Sequence, residues 1–203
     1  MITIVDYGMG NLGSIRNMLK KIGFDSEITS DAGRIAAATK LILPGVGAFD
    51  AGMESLERSG LIPVLGERVI GARVPILGIC LGMQLMTHGS TEGMRRGLGW
   101  IDAQARRFQP TNAGLKVPHM GWNLVRPVRE AALVDALPDE PRFYFVHSYY
   151  IRCERPEDVL LTTTYGEPFP SGLQRGNVWG VQFHPEKSHK FGMHLLRNFA
   201  ERC

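Results

Sequence analysis

The chain has 203 residues, of which 44% are hydrophobic, and its 23 basic and 20 acidic residues give a formal net charge of +3. This length and composition are typical of one globular domain, and we expect residues 1–203 to form it. The balanced charge argues against nucleic-acid binding. A membrane span is not expected either, because the sequence contains no apolar run of about 18 residues.

The first half of the chain alternates strand and helix patterns. Strands are predicted at residues 2–5, 24–29, 39–45 and 74–79, and helices at 11–21, 51–58, 62–72 and from Gly82 onward. The last of these strands is uniformly apolar, as strands buried on both faces tend to be. Alternation of this kind predicts a parallel sheet with helices on both sides.

The second half is mainly strand-like. Strand patterns occupy residues 100–108, 116–125, 142–151, 159–166 and 177–183, and an amphipathic helix is predicted at 191–202. With little helix between them, several of these strands should pair antiparallel and extend or flank the sheet. The predicted fold class is therefore α/β, with an open, mixed, mostly parallel sheet flanked by helices.

The loop after the first strand contains a nucleotide-binding pattern. Gly8, Gly10 and Gly13 spell G-x-G-x-x-G between a strand and a helix, which is the context of a dinucleotide-binding loop. Glu27 or Asp31 could supply the acidic residue expected about 20 positions later. A dinucleotide-dependent oxidoreductase is thus a distant alternative, because the chain offers no obvious second domain for a substrate.

A nucleophile pattern follows the fourth strand. Gly78–Ile79–Cys80–Leu81–Gly82 has the G-x-nucleophile-x-G arrangement of a nucleophile elbow, with cysteine in place of serine. The glycines allow a tight turn around the side chain, and a helix N-terminus favours the thiolate. We therefore predict that Cys80 is a catalytic nucleophile rather than a buried structural cysteine.

A base for this cysteine is predicted at the end of the last strand. His184 follows a strand that Pro185 must end, and ligands in open α/β sheets bind outside the carboxyl ends of strands. Glu186 is close enough to orient the imidazole, as the third member of a triad does. For the oxyanion, the Pro44–Gly47 loop, through Val46, and the amide of Leu81 are the candidate donors.

Metal and cofactor sites are not expected. Cys80, His147, His184 and Glu186 are possible ligand types, but their spacing fits no zinc pattern. The three cysteines, at 80, 153 and 203, form neither a disulfide framework nor a paired zinc motif. Because the first residues also lack the charged and apolar regions of a signal peptide, we expect a cytoplasmic location.

Five segments together resemble the triad-type, class I glutamine amidotransferases. They are "PGVGAFDAGM", "PILGICLGMQL", "KVPHMGWN", "FVHSYY" and "GVQFHPEKS". Within this family the chain is most similar to the glutaminase subunits of imidazole glycerol phosphate synthase. The resemblance runs from the first strand to the last helix, and it implies a flavodoxin-like sheet.

The resemblance also implies a mechanism and a set of site residues. Cys80 would form a glutamyl thioester with glutamine, His184 would shuttle the proton, and Glu186 would orient the imidazole. The residues implied to line the glutamine pocket are Gly47, Gln84, His147, Ser148 and Tyr149.

A partner is implied as well. The ammonia would pass to a separate barrel-shaped cyclase subunit, forming a heterodimer that makes imidazole glycerol phosphate and aminoimidazole carboxamide ribonucleotide in histidine biosynthesis. The residues implied to face this partner are Asn11, Trp122, Tyr144 and Lys187.

Two further alternatives remain open. The segments "GLGWIDAQ", "YYIRC" and "EKSHKFGM" look more like a paralogous branch that supplies ammonia for amidination of a surface-polysaccharide sugar. A binding module with the same fold and an inactive site is the other, although the complete triad argues against it.

Overall fold

The structure is a computed structural model that describes residues 1–110 and 114–203. Its first half contains four strands and five helices. They are β1 (Ile2–Val5), α1 (Leu12–Lys21), β2 (Ser26–Thr29), α2 (Ala32–Ala36), β3 (Lys40–Gly45), α3 (Phe49–Arg58), α4 (Ile62–Gly66, followed by a π-helical turn over Glu67–Gly71), β4 (Ile76–Cys80) and α5 (Leu81–Leu85).

The second half is mostly strand. It comprises β5 (Ala103–Arg107), β6 (His119–Leu124), β7 (Arg126–Pro127), β8 (Arg142–His147), β9 (Tyr149–Cys153), β10 (Val159–Tyr165), β11 (Glu167–Arg175), β12 (Val178–Val181) and α6 (His189–Arg202).

Eight strands form the main sheet, in the order β2-β1-β3-β4-β12-β11-β10-β7. From β2 to β12 all neighbours are parallel, whereas β11, β10 and β7 are added antiparallel. Two antiparallel ribbons, β5–β9 and β6–β8, accompany this sheet. The predicted mixed, mostly parallel sheet is therefore confirmed.

Side chains alternate between two hydrophobic cores along the central strands. In β3, Ile42 belongs to one core and Leu41 and Leu43 to the other, as the two-residue period of a strand requires. Helices α1 and α6 contribute to the first core, and α3 and α4 to the second. The sheet is thus covered on both faces, and its carboxyl edge is left for a site.

Two strand predictions were wrong in detail. Residues 142–151 form two strands rather than one, because the chain turns at Ser148; β8 pairs with β6 and β9 with β5. Strand β11 was not predicted. Its sequence, "EPFPSGLQR", contains two prolines and a glycine, which argue against a strand, yet it pairs with both β10 and β12.

The β6–β8 ribbon carries a buried pair of histidines. His119 and His147 are directly opposite each other, with His119 Nδ1 2.8 Å from His147 Nε2. Asn123 Nδ2 donates to the Thr164 carbonyl, which identifies it as a donor, so His119 Nε2 accepts from it. His119 Nδ1 then donates to His147 Nε2, and His147 Nδ1 donates to the Tyr149 carbonyl at 2.8 Å. Both imidazoles are therefore neutral.

Burial acts on the same pair. It lowers the pKa of His119 to about 4 and that of His147 to about 3. Unfolded histidine has a pKa of about 6.5, so below that pH the unfolded chain binds protons that the folded chain does not. These two groups should destabilise the fold as the pH falls from about 6.5 towards 4.

We expect the free energy of unfolding, measured by urea titration, to fall with decreasing pH by up to about 1.4 kcal/mol per pH unit for each of these imidazoles. A His119→Phe variant should show a shallower slope, because one of the two groups no longer titrates. The exposed His189 provides the control: His189→Gln should keep the slope of the parent. An unchanged slope in His119→Phe would contradict this account.

Candidate active site

Cys80 lies at the junction of β4 and α5, in a backbone conformation unusual for a residue with a side chain. Its φ is 54° and its ψ is −110°, a strained combination of the kind found at functional sites. Two residues on, a Cβ added to Gly82 would lie 1.8 Å from the Leu43 carbonyl oxygen. Only glycine fits there, so the predicted elbow has a steric basis.

His184 is brought beside Cys80 by the sheet. Strand β12 pairs in parallel with β4, with Val181 opposite Ile79, so the residues after both strands emerge at the same edge. The backbone of His184 is fixed on both sides. Its amide donates to the Tyr144 carbonyl at 2.9 Å, and its carbonyl accepts from the Ser188 hydroxyl at 2.6 Å.

The imidazole of His184 lies between a carboxylate and the sulfur. Nδ1 is 2.8 Å from Glu186 Oε1, and both side chains are only 2% exposed. Burial alone lowers the pKa of His184, but interactions with Cys80 and Glu186 outweigh it and raise the pKa to about 10. This environment favours the protonated, imidazolium form of His184.

A cavity of about 330 Å³ opens at the sulfur. All of the residues predicted for the glutamine pocket and the oxyanion hole line it together with Cys80 and His184; they are Val46, Gly47, Leu81, Gln84, His147, Ser148 and Tyr149. Glu186 stands behind His184 and does not line the cavity. The structure thus gathers three separate sequence segments around one nucleophile.

Glu92 also lines the cavity, and sequence analysis missed it. Its Oε2 accepts from the backbone amide of Phe49 at 2.8 Å, at the start of α3. Oε1 takes no part in this bond, and the carboxylate charge can attract a cationic group. The segment around it, "HGSTEG", matches no catalytic motif, and only its placement in the fold brings this carboxylate to the site.

The glycine loop after β1 packs against the oxyanion loop. Gly10 has a φ of 108°, and a Cβ there would lie 3.1 Å from the side chain of Pro44. From the same loop, the buried phenol of Tyr7 donates to the Pro44 carbonyl at 2.6 Å. The nucleotide-like spacing therefore belongs to a segment that supports the wall of this cavity.

Three of the four predicted partner residues form one exposed cluster. Trp122 is 47% exposed, its ring centroid lies 6.2 Å from that of Tyr144, and the Lys187 ammonium lies 5.8 Å from the Tyr144 centroid. His189, which was not predicted, stacks on Trp122 at 5.4 Å. Asn11 is exposed at the start of α1, a helix that packs against the Pro185–Lys187 turn.

Within residues 1–110 and 114–203, no three His, Cys, Asp or Glu side chains come together as a metal-ion site. Nor does any helix in the described ranges have the length and apolar character needed to cross a membrane.

Comparisons with known proteins agree with this geometry. The family model "Glutamine amidotransferase class-I" matches residues 3–203. The chain is 54% identical over 203 residues to "Imidazole glycerol phosphate synthase subunit HisH 2" of Methanococcus maripaludis, covering 100% of both chains. It is 51% identical over 201 residues to the protein of the same name from Pseudomonas aeruginosa, covering 99% of each.

Solved structures show the same fold at lower identity. A crystal structure of a glutamine amidotransferase matches with a TM-score of 0.75 at 20% identity, covering 99% of this chain and 98% of that one. A putative GMP synthase subunit from Thermoplasma acidophilum matches with a TM-score of 0.71 at 22% identity, covering 98% and 90%. With a nucleophile elbow, a matching fold and these full-length relatives, the chain belongs to the class I glutamine amidotransferases, and within them to the HisH subunits of imidazole glycerol phosphate synthase.

Proposed function

We propose that the chain hydrolyses glutamine to glutamate and ammonia, and that it supplies the ammonia to a cyclase subunit in histidine biosynthesis. The observation that carries this proposal is that Cys80 and His184 line one cavity of about 330 Å³, with Glu186 bonded to His184 behind it. The names of the full-length relatives favour imidazole glycerol phosphate synthase over the surface-sugar alternative.

The chemistry begins at the sulfur. The Cys80 thiolate attacks the side-chain amide carbon of glutamine, and the oxygen takes up negative charge in a tetrahedral intermediate. Peptide N–H groups of Val46 and Leu81 stabilise this oxyanion. His184 gives its proton to the departing nitrogen, ammonia leaves, and a glutamyl thioester remains.

The second half restores the enzyme. His184, now neutral, takes a proton from water as the water oxygen attacks the thioester, and collapse releases glutamate and the thiolate. Glu186 keeps the imidazole in orientation and stabilises its charged form throughout.

The cavity wall offers groups for each end of the substrate. Gly47 and Gln84 line the same cavity as the nucleophile, and His147, Ser148 and Tyr149 line it from the segment that turns between β8 and β9. Glu92 places a carboxylate on the same cavity. We assign it to the α-ammonium group of glutamine, which is the cationic end of the substrate.

The exposed cluster of Trp122, Tyr144, Lys187 and His189 is the surface we assign to the cyclase subunit, with Asn11 as a further contact. Partly exposed tryptophan and tyrosine are the residues that most often anchor protein interfaces. We further propose a heterodimer with a barrel-fold partner, a cytoplasmic location for the pair, and one domain over residues 1–203.

Removal of the nucleophile should abolish the reaction. In the presence of the partner, Cys80→Ala should lower glutaminase kcat by about 10⁴-fold or more, because no thioester can form. Glu186→Gln should lower it by about 10²–10⁴-fold, because His184 loses the carboxylate that holds its charge. Near-normal ammonia release from folded Cys80→Ala, measured by coupled glutamate dehydrogenase assay, would refute the proposal.

Neutralising Glu92 should weaken substrate binding more than chemistry. We expect Glu92→Gln to raise the KM for glutamine by about 10-fold or more, since a charged hydrogen bond is lost, with a smaller change in kcat. The exposed Glu54 offers a matched control, and Glu54→Gln should leave both constants unchanged. A KM equal to that of the parent would remove Glu92 from the binding site.

The proposed interface can be tested with matched hydrophobic substitutions. Trp122→Ala should weaken binding to the cyclase subunit by about 10-fold or more, as loss of an interface anchor does. Met94, which is 95% exposed and lies in the loop between α5 and β5, supplies the control: Met94→Ala should bind normally. Equal affinities of the two variants by isothermal titration calorimetry would contradict the assignment.

The pathway itself is open to a genetic test. Growth of a histidine auxotroph that lacks its own glutaminase subunit, after expression of this chain with its cyclase, is the expected result. Failure to grow with both proteins soluble and assembled would favour the surface-sugar branch.

A further inference from the structure

Gln182 is a buried amide side chain next to the nucleophile that the mechanism above does not use. It follows β12, is 0% exposed, and has its Nε2 3.7 Å from Cys80 Sγ. Its backbone amide donates to the Ser171 carbonyl of β11 at 3.0 Å. The backbone of Gln182 is therefore fixed against β11, and its side chain is directed at the sulfur.

Neighbouring hydrogen bonds determine which end of the Gln182 amide faces the sulfur. Gln84 Nε2 donates to Gln182 Oε1 at 3.1 Å and to the Tyr149 carbonyl at 3.3 Å. Because the Tyr149 carbonyl oxygen can only accept, that bond identifies the Gln84 group as NH₂, and the Gln182 atom that faces this NH₂ group must then be the acceptor Oε1. Gln182 Oε1 is thus occupied, and its NH₂ group is the one that points to Cys80.

The sulfur needs such a donor. Cys80 is 7% exposed, so its thiolate has little access to water, and a buried charge is costly unless hydrogen-bonded. Such a donor would favour the thiolate and hold it in one position, because a hydrogen bond to an ionised acceptor is stronger than one between neutral groups.

We propose that Gln182 is a positioning residue that donates a hydrogen bond to the Cys80 thiolate, and that Gln84 holds the Gln182 amide in the orientation this bond requires. The proposal rests on the proposed function of Cys80 as the nucleophile. It also gives Gln182 a part in the second half-reaction, where the thiolate is the leaving group and gains charge as the thioester collapses.

The proposal predicts a change in the pH dependence of Cys80 reactivity. The full-length chain with Cys153→Ser and Cys203→Ser leaves Cys80 as its one thiol, and the rate of alkylation by iodoacetamide is measured between pH 5 and 10. In Gln182→Met, which keeps the length of the side chain but has no donor, the midpoint of the profile should move upward by about one to two pH units. The reason is that the thiolate loses the donor that Gln182 supplies.

A second variant distinguishes the effect of the Gln182–Cys80 hydrogen bond on the midpoint from the effect of side-chain packing. Gln182→Glu keeps the Oε1 acceptor for Gln84 and, once ionised, places a carboxylate oxygen where the NH₂ donor was, so the midpoint should rise at least as far as in Gln182→Met. The control is Gln174→Met on β11, whose side chain is partly exposed and bonds only its own turn among the residues described. It should keep the midpoint of the parent.

The outcomes are distinct. Folded Gln182→Met and Gln182→Glu with the midpoint of the parent would overturn the proposal, and so would unfolding of both, since that would assign Gln182 to packing alone. If alkylated Cys80 still permitted full glutaminase activity with the partner present, the proposed function itself would fail. A shifted midpoint with a fall in kcat larger than any change in KM is the result we expect.

Discussion

Parallel pairing of β4 with β12 determines where the nucleophile and its base can meet. The two strands lie side by side at the centre of the sheet and point the same way, with Ile79 opposite Val181. Cys80 ends one strand, and His184 follows the other within three residues. If β12 were shifted by one residue relative to β4, each of its side chains would move to the opposite face of the sheet. The imidazole would then no longer face the sulfur.

Two features of the site have an unfavourable free energy. One is the backbone of Cys80, whose positive φ costs about 1–3 kcal/mol for a residue with a Cβ. The other is burial of His184 and Glu186, both only 2% exposed at the side chain. Close packing offsets these costs, because α5 begins against the β3 carbonyl of Leu43 and leaves the elbow no room to relax.

The catalytic residues were predictable because each follows a strand with a strong local pattern. Cys80 is flanked by glycines after an apolar run, and His184 precedes a proline that must end its strand. Glu92 and Gln182 lacked such signals. Glu92 lies in a loop that is brought to the cavity by its bond to the N-terminus of α3. Gln182 has the sequence pattern of one more strand residue, and only its neighbours in the folded structure reveal its position beside the sulfur.

The fold was predictable to a similar extent. Period-two and apolar patterns identified the parallel strands, but β11 was hidden by Pro168 and Pro170, which its pairing with β10 and β12 nevertheless accommodates. The turn at Ser148 was also invisible, since "RFYFVHSYYI" has an unbroken strand pattern. The two halves of that segment pair with different strands, β8 with β6 and β9 with β5. This pairing outweighs the local preference for one continuous strand.

The central position of β12 has a consequence for synthesis of the protein. This strand is the last in the chain, yet it lies between β4 and β11, both made earlier. His184 and Glu186 can therefore reach the Cys80 sulfur only after residue 186 has been synthesised, more than 100 residues after Cys80. A chain that lacks this strand carries Cys80 without His184 and Glu186, so it has the nucleophile but not the base.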